Sequence, residues 1–80
     1  MSKQKYFYYV GVDTSGGMTL VTSIDKASKA AYWNKNEKPL PMTAAQADDL
    51  VFGLILNMTP AVVVKSRFEL QGHFIAKSEE

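Results

Sequence analysis

Thr43-Ala44-Ala45-Gln46 opens the one stretch of this chain whose local structure follows from its own chemistry. Threonine at a helix N-cap accepts from the amide three residues on, and glutamine at that third position reaches back to the threonine amide. Behind this capping box, Ala47, Leu50, Val51, Leu54, Ile55 and Met58 recur at i, i+3, i+4 and i+7, which lays one broad apolar face along a helix. Phe52 and Leu56 widen that face. Asn57 is placed to take a left-handed C-terminal cap, and Pro60 forbids continuation. Gly53 costs up to about 1 kcal/mol against alanine inside a helix, so a close neighbour above it is expected. A single amphipathic helix must bury its stripe against something else, and the rest of the chain has to supply the sheet.

The flanking segments read as strands. Tyr6-Phe7-Tyr8-Tyr9-Val10-Gly11-Val12 is rich in aromatic and β-branched residues. Asp13–Gly17 is a turn, and Met18–Ile24 is a second strand that returns beside the first. A five-residue loop pairs Val12 with Met18 and Val10 with Leu20, gathering apolar residues on one face. A four-residue loop sets Gly11 against Leu20 and mixes the faces, so the first register is the expected one. Tyr6, Tyr8, Val10 and Val12 then belong to the core. Phe7 and Tyr9 face the other side with Val21.

Residues 25–42 carry weaker signals. Asp25–Ala31 has helical propensity without an apolar stripe, Ala31-Tyr32-Trp33 suits a short strand, and Pro39-Leu40-Pro41 is extended. Ala61–Leu70 alternates as a strand, with Val62, Val64, Phe68 and Leu70 on one side and Val63, Lys65, Arg67 and Glu69 on the other. Gln71-Gly72 kinks or turns it, and His73–Ala76 is a last short strand. Residues 1–5 and 77–80 are frayed ends of a single domain spanning 1–80. The expected fold class is α+β: a small antiparallel or mixed sheet, built from an N-terminal hairpin plus a C-terminal strand or hairpin, with one amphipathic helix packed on one face.

Totals narrow the function classes. An 80-residue domain buries only about 60–65% of its unfolded surface, so small domains lean on disulfides, metals or association. The chain has no cysteine and one histidine, His73, which removes disulfides and makes a zinc site improbable. No cofactor is expected. The net charge of +1 lacks the basic excess of a duplex-DNA binder. The N-terminus has no signal-peptide pattern, the apolar run Leu50–Leu56 is too short for a membrane helix, and a cytoplasmic location is expected. Asn57-Met58-Thr59 matches the glycosylation sequon at chance level.

Tyr9-Val10-Gly11 looks like a fragment of the first-strand signature of RNA-recognition motifs. A turn and strand follow it where that fold needs a helix, and the second signature is absent, so the likeness is set aside. Asp48 and Asp49 are adjacent, which places them about 100° apart on a helix and prevents convergence as an acid/base pair. Asp13–Gly17 lacks the following helix and lysine of a phosphate loop. Catalysis is not expected.

In the order of its features the chain resembles small uncharacterised phage and prophage proteins of Gram-positive bacteria. The likeness covers Tyr8-Tyr9-Val10, Val21–Ala27, Ala31-Tyr32-Trp33, the capped helix and Ala61–Val64. It implies a cytoplasmic accessory protein and transfers no functional residue. One helix covers one sheet face, so the other face calls for a cover. The expected interaction surface is Phe7, Tyr9, Val21, Val63, Lys65 and Arg67, serving a second copy of the chain or a protein partner. Weak binding of single-stranded nucleic acid through the same rings and cations is the alternative.

Overall fold

The computed structural model of the chain describes residues 5–15 and 17–72. The chain runs β1 (Phe7–Thr14), β2 (Gly17–Leu20), β3 (Ser23–Ile24), β4 (Ala31–Tyr32), α1 (Ala44–Leu56) and β5 (Ala61–Ser66). Strands β2, β1 and β5 form an antiparallel sheet in that order, and β3 and β4 form a separate two-stranded ribbon. This is the α+β arrangement expected, with one helix on one sheet face. The expected strand at His73–Ala76 and the ends at 1–4 and 77–80 lie outside the described residues.

The hairpin register differs from the expected one. Gly11 pairs with Leu20, Val12 with Thr19, Asp13 with Met18 and Thr14 with Gly17, leaving a two-residue connection. The Thr14 hydroxyl donates to the Gly17 carbonyl at 2.6 Å, and Gly17 takes φ 109°, where a side chain is strained. Gly11 leaves room across the pair for Met18. A Cβ there would lie 2.5 Å from Met18 Sδ, so the methionine crosses the space that glycine leaves empty. Segregating the apolar residues onto one face misleads here because both faces of the hairpin are buried: Tyr9 and Leu20 on one, Val10, Val12 and Val21 on the other.

The expected second strand splits. The Val21 amide still donates to Val10 at 2.8 Å, but the Thr22 amide turns to Tyr32 at 2.8 Å, so the chain changes partner between β2 and β3. Between β3 and β4, the Asp25 carboxylate accepts from the Ser28 amide (2.8 Å) and hydroxyl (2.7 Å), and Lys29 adopts φ 65°. These bonds hold the Asp25 carboxyl below the usual aspartate range.

Helix α1 begins as its sequence dictates. The Gln46 amide donates to Thr43 Oγ1, and the Thr43 amide donates to Gln46 Oε1, each at 3.1 Å. Its C-terminus is closed by Met58, not Asn57: Asn57 has φ −96° and Met58 has φ 64°. The Thr59 amide reaches the Leu54 carbonyl and the Met58 amide reaches that of Ile55, a Schellman pattern with methionine in the position glycine usually fills. Gly53 has nothing within 4 Å of an added Cβ, so no close neighbour requires it.

Ala47, Leu50, Val51 and Leu54 pack over β1 and β5 with Val10, Val12, Val21, Ala61 and Val63. Tyr8 lies in this layer as expected. Strand β5 ends at Ser66 rather than Leu70, because the Ser66 hydroxyl accepts from the Phe68 amide (3.0 Å) and donates to the Phe68 carbonyl (2.6 Å), turning the chain.

Candidate functional site

The six residues of the expected surface do not share a face. In β1, Phe7, Tyr9 and Gly11 stand opposite Ser66, Val64 and Val62, away from the helix. Tyr9 has no exposed surface. Its hydroxyl accepts from the Leu70 amide at 2.8 Å, which brings the segment after β5 back across the sheet. Lys38 and Glu69 join that segment to the 34–42 crossing at 3.7 Å, beside the fully buried Pro39. The chain therefore supplies its own cover at Tyr9. Phe7 is half-buried.

Val21 and Val63 lie on the helix side instead. The register places Val21 opposite Val10 on one flank of β1 and Val63 opposite Val10 on the other, and both pack in the helix-covered core. Lys65 sits on that side too, exposed, with its ammonium 4.2 Å from the centre of the Tyr6 ring. Arg67 is exposed on the bend after β5. With Tyr9 sealed, the expected pair Phe7 and Tyr9 is not available to stack bases.

Large apolar side chains are exposed at Phe68 on the segment after β5, at Tyr32 on β4, and as a group around the C-terminal end of α1. Phe52, Leu56 and Met58 keep 66%, 67% and 90% of their surface exposed, and Ile55 and Val62 are also open. Ile55 lines a shallow groove with Pro60, Ala61 and Val62, whose far wall is Met18 lying over Gly11. These residues stand where the C-terminal end of α1 meets the start of β5. The signal was present in the sequence. Leu56 is about 180° from Ala47 around the helix, and Phe52 about 140°, so a helix lying on one sheet cannot bury them together with Ala47 and Leu54.

Asp48 and Asp49 are exposed on the helix, and no cluster of three or more metal-ligating side chains occurs among the described residues. His73 lies outside them. No described helix is long and apolar enough to cross a membrane. Comparison with protein-family models, curated proteins and solved structures finds no match.

Proposed function

We propose that this chain is a non-enzymatic interaction or accessory protein, and that its contact surface is the apolar patch at the C-terminal end of α1. The observation that carries this reading is the exposure of Phe52 and Leu56, one turn apart on the side of α1 turned away from its sheet, with Met58 exposed just past the helix end. Exposed apolar surface of this kind marks contact sites more often than fold requirements. An accessory role in a cytoplasmic setting is what the resemblance in layout to small phage and prophage proteins implies.

The reading separates function from stability. Phe52→Lys with Leu56→Lys removes two large side chains that contribute little to the core. The double variant is expected to keep the melting temperature of the parent and to lose its association, whether with itself or with a protein that co-purifies with the parent. A parent that is monomeric and captures nothing, or a double variant that unfolds, contradicts the reading.

A further inference from the structure

Among the described residues, strand β5 is the outer strand of its sheet, bonded on one side only, to β1. The Asp13 amide donates to the Pro60 carbonyl at 3.0 Å, which fixes the phase of the ladder. Hydrogen-bonded pairs alternate along an antiparallel ladder, so Val62, Val64 and Ser66 turn their N–H and C=O groups toward β1. Ala61, Val63 and Lys65 turn theirs away. Ala61 is 8% exposed beneath the end of the helix, whereas Val63 is half-buried and Lys65 is exposed. Among the described residues no group bonds to the outward N–H or C=O of Val63 or Lys65. Such an edge is a template for another strand. A lysine on an edge usually discourages this, but the Lys65 ammonium is drawn back over Tyr6 on β1's side.

We propose that this edge pairs with the same edge of a second copy, antiparallel about a two-fold axis through Val64, giving a continuous six-stranded sheet. Val63 then exchanges bonds with the partner's Lys65, and Lys65 with the partner's Val63. The pairing is reciprocal, as an isologous contact must be, and it avoids setting Lys65 against its own copy. The chain's net charge of +1 gives two copies little mutual repulsion.

The helix position supports the same occupant. Helix α1 packs over both β1 and β5, so pairing two copies at the β5 edge about this axis puts both helices on the same side of the joined sheet. Helix and strand run antiparallel, and the right-handed turn puts Ile55, Asp48 and Phe52 on the flank next to β5's outer edge; Ile55 shares a groove with Pro60–Val62. Phe52 and Ile55 supply the open apolar surface on that flank, and the edge of β5 adds its outward backbone groups.

This inference rests on the proposed contact surface and adds its partner and geometry. Sedimentation equilibrium of the full chain should show reversible association of 8.9 kDa subunits into dimers. A synthetic chain N-methylated at Val63 loses an outward donor at each copy without touching the β1 ladder, and should associate roughly ten-fold more weakly or worse. Phe52→Lys should weaken association similarly, with circular dichroism unchanged for both. Amide exchange in the unmodified chain supplies a variant-free readout: Val63 and Lys65 should become protected as concentration rises. A chain monomeric at millimolar concentration overturns the inference. Association that Phe52→Lys weakens and N-methylation leaves intact overturns the edge pairing while sparing the contact surface. Association indifferent to both overturns the two together.

Discussion

Removing a single oxygen from Tyr9 tests whether the chain seals its own second face. Tyr9→Phe keeps the ring that fills the space between β1 and the returning segment, and deletes the acceptor for the Leu70 amide, 2.8 Å away. A net hydrogen bond contributes about 0.5–1.5 kcal/mol, and an orphaned buried donor costs about 1–3 kcal/mol. Leu70 is only half-buried, so its amide can regain water if the segment lifts, and the expected loss lies near 1 kcal/mol. The Lys38–Glu69 pair is exposed and does little to hold the segment down. For a domain of this size about 1 kcal/mol lowers the melting temperature by roughly 4–8 °C. Urea unfolding gives the stability change, and amide exchange at Leu70 gives its location, with a several-fold drop in protection. Unchanged stability together with unchanged Leu70 protection would refute the idea that this bond closes the face.

Three further outcomes follow from local geometry. Gly53→Ala adds a methyl into open space within α1 and should stabilise the fold by about 0.5–1 kcal/mol in urea titration; destabilisation means an unseen neighbour. Met58→Gly relieves a left-handed residue that is 90% exposed and should stabilise by up to about 1 kcal/mol, whereas a loss would show that the methionine packs in the fold. The Asp25 carboxyl, held low by Ser28, stabilises its loop at pH values above the ordinary aspartate pKa and releases it as pH falls through the lowered value. Ser28 amide shifts should follow that titration, with a midpoint below that of an unstructured aspartate; a midpoint at or above it contradicts the bonding.

The helix was legible because its start and apolar spacing are local properties, and the capping box appears atom for atom. The hairpin was legible as two strands and a turn but not in register. Alternation reports register only when one face is wet, and here Tyr9 and Leu20 are as deeply buried as Val10 and Val12. Tyr9 looked available because nothing local announces that Leu70, 61 residues later, returns to its hydroxyl. The strand end at Ser66 turns on a side-chain-to-backbone bond that competes with the ladder. The exposed patch was written in the helix's angular spread, where Phe52 and Leu56 were assigned to a stripe too wide for one sheet to cover.

The central claim is that contact is made at β5 and the flank of α1, not at Phe7 and Tyr9. A dilution series followed by amide chemical shifts tests it residue by residue. Concentration-dependent shifts are expected at Val63, Lys65 and Phe52–Leu56, with Phe7 and Tyr9 unmoved. Shifts clustered at Phe7 and Tyr9, or none anywhere up to millimolar concentration, would contradict it.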